Sequence, residues 1–261
     1  MRSGTRFGPG DRFGGAASRQ GGVPTTLPAA WDGPDAGQLC LLDDTEPVRP
    51  IVEMPAGVVH LPGWLTLDQQ RRLVTEFRAW AAPPAGLRHP RVPSGHLMSV
   101  QSVCLGWHWY PYRYSRTADD VDGASVKAMP ASLISLGRSA VAAAYGPGSA
   151  EAGDYAPDAG LVNLYAPGAR MGLHQDVEEP SDAPVVTLSI GDTCTFRLAG
   201  VDRRTAPFAD VELRSGDLLV FGRAHRRVYH GVPKVFDGTG PAGLGLPPGR
   251  LSITVRQTGL E

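Results

Sequence analysis

From residue 161 onward the chain is a succession of short alternating runs cut by turn residues. They are LVNLY (161–165), MGLHQD (171–176), VVTLSI (185–190), TCTFRL (193–198), DVEL (210–213), DLLVFG (217–222), RVYHG (227–231) and RLSITVR (250–256). A period of two marks a strand with two unlike faces. Nothing between the runs has the three- and four-residue apolar spacing of a helix. Eight such strands in series predict a mainly β fold, an antiparallel sandwich or barrel of the jelly-roll kind.

Two helices are expected upstream. In 66–81, Leu73, Val74, Phe77 and Trp80 recur at helical spacing, and Thr66 with Gln69 forms a capping box. In 130–145, Leu133, Leu136, Val141, Ala144 and Tyr145 do the same, with Pro130 opening the segment and Gly146-Pro147 ending it. Both are predicted to cover a sheet. Residues 1–37, rich in Gly, Arg, Ser and Pro without an apolar period, are expected to be a flexible tail. Residues 38–261 are expected to form one domain, with LCLL (39–42) and GVVHL (57–61) as its first strands.

Hydrophobic residues make up 42% of the 261, enough for a sizeable core, which excludes wholesale disorder. No apolar run reaches the roughly 18 residues of a membrane span, and the N-terminus carries no apolar secretory stretch. Cys40, Cys104 and Cys194 are too scattered for a disulfide framework or a zinc pattern, which favours a reducing, cytoplasmic setting. A monomer without membrane attachment is expected.

The net charge of −1 does not by itself advertise polyanion binding for the molecule as a whole. Its distribution is uneven. Residues 88–116 hold Arg88, Arg91, Arg113 and Arg116 and no acid, residues 197–227 are also net basic, and residues 32–53 are strongly acidic. Only Lys127 and Lys234 are lysines. Arginine is the better bidentate partner for phosphate.

Within the strands, residues two apart share a face. Asn163 pairs with Tyr165, His174 with Asp176, and Arg250, Ser252, Thr254 and Arg256 form one row opposite Leu251, Ile253 and Val255. Solvent-facing rows usually carry Lys, Glu and Thr, so these rows point to a shared site. A His-x-Asp pair offers an imidazole and a carboxylate to one metal ion. A second histidine would complete the two-histidine, one-carboxylate set of non-haem Fe(II) oxygenases, which leaves coordination positions open. The candidates are His225, flanked by arginines, and His230, at a strand end; His230 is the better placed. Arg250 and Arg256 would suit the far carboxylate of a dicarboxylate co-substrate such as 2-oxoglutarate.

These residues resemble a known family. The stretch NLYAPGARMGLHQDVEEP, followed by VVTLSIG, DLLVFG, YHGV and RLSITVRQTG, is similar to the AlkB family of Fe(II)/2-oxoglutarate-dependent dioxygenases, which repair alkylated nucleic-acid bases. The resemblance covers about residues 95–259. It implies a double-stranded β-helix with two flanking helices and a nucleotide-recognition lid, placed at 88–129. It implies Fe(II) held by His174, Asp176 and His230, with 2-oxoglutarate and O2 as co-substrates. Asn163, Tyr165 and Arg250 would bind the C5 carboxylate of 2-oxoglutarate, with Arg256 beside its other end. Ser252, where the family often has Asn, and Thr254 would complete that wall.

For the substrate, Met98, Trp107 and Tyr112 match base-pocket and strand-contact positions of the lid, with Tyr114 close by. Glu178 stands where the family commonly has Asp near the damaged base, and Arg203 matches a basic residue that contacts base or strand. The implied reaction is oxidative demethylation of N1-methyladenine and N3-methylcytosine in DNA, yielding succinate and formaldehyde. The alternatives are the same chemistry on RNA or tRNA, a nucleic-acid-binding module without catalysis, and a zinc hydrolase. The last leaves Arg250 and Arg256 without a task. An enzyme acting on a base must extrude it or meet it unpaired. The aromatics interleaved with arginine in WHWYPYRYSR suit stacking beside phosphate contacts.

Overall fold

All eight alternating runs become strands in the computed structural model, which describes residues 53–261. The expected tail and the LCLL run lie outside the described residues. The eight are β5 (Ala159–Tyr165), β6 (Met171–His174), β7 (Val185–Gly191), β8 (Thr193–Leu198), β9 (Ala209–Leu213), β10 (Leu218–Phe221), β11 (His230–Phe236) and β12 (Arg250–Arg256). They are shared equally between two antiparallel sheets, alternating except at the β8–β9 hairpin, as in a double-stranded β-helix. The larger sheet has the order β1-β10-β7-β12-β5-β2, extended at its edges by β1 (Val58–Leu61) and β2 (Gln101–Leu105). The smaller has the order β6-β11-β8-β9.

The RVYHG run differs from its expected span. The strand starts only at His230, because the residues before it close a turn. Arg223–His225 form one 3-10 turn, and Val228 N donates to His225 O (3.1 Å). His230 is therefore the first residue of β11.

Both predicted helices form. The first, α1 (Leu67–Ala81), has the full capping box: Thr66 Oγ1 accepts from Gln69 N (3.3 Å), and Gln69 Oε1 accepts from Thr66 N (2.8 Å). The second, α2 (Ala131–Tyr145), ends at Gly146 with φ 92°, a conformation that costs glycine no Cβ clash. A short α3 (Ala150–Asp154) follows, which the apolar periodicity does not signal. Leu73, Val74, Phe77 and Trp80 of α1 and Leu133, Leu136, Ala140 and Val141 of α2 pack in one core with Val186, Leu188, Leu251, Ile253 and Val255 of the larger sheet. A second core between the sheets contains Val185, Phe196, Leu198, Val211, Leu213, Phe221 and Val232.

This double packing explains β12. Its seven residues are all buried. Leu251, Ile253 and Val255 face the helices, so Arg250, Ser252, Thr254 and Arg256 face the space between the sheets rather than water. The antiparallel register sets Arg250 opposite Tyr165, Ser252 opposite Asn163 and Thr254 opposite Thr187.

The 88–129 segment divides. Gln101–Leu105 is the edge strand of the larger sheet, whereas β3 (His108–Tyr110) and β4 (Arg113–Ser115) form a separate hairpin. The link between them turns at Gly106 (φ 74°), where a Cβ would meet Asp158 O at 1.9 Å. Arg88 pins the hairpin from behind, donating Nη2 to Trp109 O (2.6 Å) and Nε to Asp120 (3.1 Å), and Asp120 also pairs with His108 Nε2 (2.6 Å). At the tip, Pro111 precedes Tyr112, whose φ of 74° is strained for a non-glycine residue.

The cap on α1 is remote from the space between the sheets. Thr66→Ala should lower stability by about 1 kcal/mol, read from urea denaturation, and leave ligand binding in the barrel unchanged.

Candidate functional site

His174 closes β6, Asp176 lies two residues on in the following loop, and His230 opens β11, which pairs with β6 so that the two histidines are opposite each other. One potential ligand atom from each lies within 4.8 Å of the others. His174 Nδ1 faces Gly172 O at 3.1 Å and His230 Nδ1 faces Val228 O at 3.0 Å. A carbonyl only accepts, so both Nδ1 atoms carry the proton and both Nε2 lone pairs are left for the site. Burial, helped by the His174 ring, pushes His230 down to about 4, so it is neutral at physiological pH, as a ligand must be. Phe196 and Phe221 pack against its ring.

Burial alone would raise the Asp176 carboxyl, but Arg256, then His230 and His174, outweigh it and hold the group well below the usual carboxylate range. Arg256 Nη2 lies 2.9 Å from Asp176 Oδ2 but out of line for a hydrogen bond, so Oδ2 is buried with no donor of its own. An ionised buried oxygen without a donor, beside two imidazole lone pairs, is the environment a divalent cation satisfies.

A second unmet demand lies deeper. Arg250 is 0% exposed, the largest fully buried side chain among the described residues. Its Nε donates to Ser189 Oγ (3.0 Å), but Nη1 and Nη2 have no hydrogen-bond partner among the described residues. Burying unpaired guanidinium donors is costly, and a carboxylate accepts from both. Tyr165, whose hydroxyl burial pushes up to about 12, lies with its ring centroid 5.2 Å from Arg250 Cζ. Asn163, Tyr165, Ser252, Thr254 and Arg256 line one chamber with His174 and His230. Asn163 Oδ1 accepts from Ser102 Oγ (2.5 Å), which fixes the amide. The chamber wall thus carries both histidines of the metal site, the cation of Arg256, and Tyr165, the register partner of the buried Arg250.

An outer cleft of about 190 Å³ opens from the same centre. Met98, Tyr112 and Glu178 line it, together with Trp109, His174, Asp176 and Arg256. Tyr112 is 71% exposed at the hairpin tip. Burial raises the Glu178 carboxyl above its ordinary value. Tyr114 is not on the cleft wall; its hydroxyl donates to Glu179 and accepts from Arg256 Nη1 (3.2 Å). Arg203 is exposed and does not line the cleft.

Trp107 is also placed elsewhere. It is 6% exposed, its indole N–H donates to Asp158 Oδ2 (3.2 Å), and Arg116 Cζ lies 3.3 Å from its ring centroid. The bend at Gly106 turns it away, and Trp109, two residues on in β3, takes the place in the cleft. Glu179, Trp109, Ser189 and Arg226 join the site without having been singled out by the sequence. The aromatic–arginine cluster holds the signal for Trp109. Glu179 and Arg226 sit in irregular segments, where the two-residue period does not apply.

Among the described residues no helix is long and apolar enough to cross a membrane. The family model described as the 2OG-Fe(II) oxygenase superfamily matches residues 57–256. The chain is 33% identical over 227 residues to the alpha-ketoglutarate-dependent dioxygenase AlkB of Escherichia coli, covering 85% of this chain and 98% of that protein. It is 32% identical over 218 residues to the DNA N(6)-methyladenine demethylase ALKBH1D of Arabidopsis thaliana, covering 77% of this chain but only 49% of the plant protein. A solved structure, that of OsALKBH1, superposes with a TM-score of 0.69 at 30% identity, over 78% of this chain and 100% of that one. On the match to nearly the whole of the bacterial dioxygenase, and on the superfamily model that runs from β1 to the last residue of β12, the chain belongs to the AlkB family of Fe(II)/2-oxoglutarate-dependent dioxygenases.

Proposed function

We propose that this chain demethylates N-alkylated bases, N1-methyladenine and N3-methylcytosine, in DNA by oxidation, converting 2-oxoglutarate to succinate and releasing formaldehyde. The observation that carries the reading is the pair of unmet demands in one lumen: a metal-type donor set and, beyond it, the unpartnered guanidinium of Arg250. His174, Asp176 and His230 would hold Fe(II). Arg250 would take the far carboxylate of 2-oxoglutarate, with Tyr165, Asn163, Ser252 and Thr254 shaping the chamber and Arg256 at the metal end. Bound Fe(II), with 2-oxoglutarate and O2, supplies the oxidation that turns an N-methyl group into N-hydroxymethyl, with loss of CO2 from the co-substrate. The hydroxymethyl group then leaves as formaldehyde, and the ring nitrogen is restored.

The protein's own contribution is placement. The chamber excludes water around Arg250, where a charge-assisted pair is strongest. The outer cleft, whose wall includes Trp109, His174, Met98 and Tyr112, would receive the flat ring of the base. Glu178 faces that ring. Alkylation at N1 of adenine or N3 of cytosine leaves the ring cationic, and a cationic ring offsets the burial that raises Glu178. Arg203 stays a rim contact to the strand. The cytoplasm is the compartment this reading assigns, with a monomer as the working unit.

Three measurements test the reading. Asp176→Ala should abolish Fe(II) binding, measured anaerobically by equilibrium dialysis, whereas His225→Ala should retain it. The His225 ring is engaged with Ala56 O (2.6 Å) away from the site. Arg250→Ala should weaken 2-oxoglutarate by roughly 2–5 kcal/mol, at least about tenfold in Kd, and Arg250→Lys should recover only part of it because the fork is lost. Trp109→Ala should cost roughly 1–3 kcal/mol in binding a methylated oligonucleotide. Trp107→Ala should instead lower the melting temperature, and equal oligonucleotide losses in the two variants would refute the assignment of the cleft wall.

A further inference from the structure

Glu179 has no part in the reaction as drawn, yet its carboxylate is fully buried and collects three donors. Oε1 accepts from Arg256 Nη1 (2.5 Å) and from the Tyr114 hydroxyl, and Oε2 accepts from Arg226 Nη2 (3.1 Å). Arg226 is buried too, and is fixed in turn by Ala183 O (2.6 Å). Two carboxylates therefore face one guanidinium. Glu179 has the aligned bond to Nη1, and Asp176 has only the off-line approach of Nη2 at 2.9 Å.

That inequality matters for the metal. A carboxylate oxygen that accepts a hydrogen bond from an arginine shares its lone pairs with it, and a cation must displace or share that donor to bind. Were Glu179 uncharged, the nearest anion to Arg256 would be Asp176, and a small rotation of the guanidinium would bring Nη2 into line with Oδ2. We propose that Glu179 is a positioning residue for the metal centre: it holds Arg256 by its other nitrogen, so that Asp176 Oδ2 keeps its lone pairs for the ion. Tyr114, on β4, binds the same carboxylate, so the hairpin that walls the substrate cleft and the metal ligand share one buried charge. The inference rests on Asp176 being a metal ligand, as assigned above.

The test titrates the metal-free protein with Co(II), following the heat of binding and the visible spectrum of the bound ion. Glu179→Gln, isosteric but uncharged, should weaken Co(II) by roughly 10–100-fold, the usual range for groups that orient metal ligands. The effect should pass through Arg256: in an Arg256→Met background the same change should alter affinity by no more than about twofold. Wild-type affinity and spectrum in Glu179→Gln would overturn the proposal, and so would an equal loss in both backgrounds, the mark of a merely structural role. If Glu179→Gln does not fold, Glu179→Asp keeps the charge but withdraws it by one methylene. It should then show a smaller loss in the same direction, roughly threefold or more, and unchanged affinity would overturn the proposal. Asp176→Ala separates the two ideas. If it binds Co(II) as tightly as wild type, the ligand assignment fails, whatever Glu179 does.

Discussion

An arginine buried to the last atom, with two of its nitrogens unpaired, is the constraint around which this molecule is arranged. Arg250 cannot be hydrated where it sits, and no group among the described residues pairs with its two outer nitrogens. Such a group is tolerated only if the fold around it is stable for other reasons. Two apolar cores on opposite sides of the larger sheet supply that stability. An anion that reached these two nitrogens would relieve a cost already met by folding, and its occupancy would raise stability by mass action.

The metal centre follows a different logic. Its charges are nearly balanced among the described residues: Asp176 and Glu179 against Arg256 and Arg226, with His230 held neutral by burial. A balanced cluster can be buried at modest cost, provided each partner is held in place. Two short segments do the holding. The β6–β11 pairing sets the histidines opposite each other, and the irregular loop after His174 brings Asp176 and Glu179 to opposite nitrogens of one guanidinium.

Much of this was legible in the sequence because period-two alternation survives folding wherever a strand lies between two layers. That is why Arg250, Ser252, Thr254 and Arg256 could be assigned to one face, and why His230 was preferred to His225. The misplacements have local causes. Trp107 and Trp109 are two apart and would share a face on a continuous strand, but the bend opened by the positive φ at Gly106 includes Trp107, and β3 begins only at His108. Glu179, which the alternation did not single out, lies beyond the end of β6, where parity carries no information and ion pairing decides direction. The RVYHG run reads as a strand throughout, although its first residues close a turn that makes His230 the first residue of β11.

One feature of β12 bears on how such a protein can change over generations. Its odd and even positions answer to different masters, co-substrate on one side and the helix-packed core on the other, so no residue in it is free to drift. The β3–β4 hairpin is the opposite case. It pairs only with itself, at three residues a strand, and hangs from the barrel by a turn and a few side-chain tethers. Its tip can be rewritten without breaking a barrel strand. Substrate range and oxidative chemistry are thus carried by parts of the chain that can evolve at different rates, and new specificities should arise by replacing the hairpin while the barrel stays as it is.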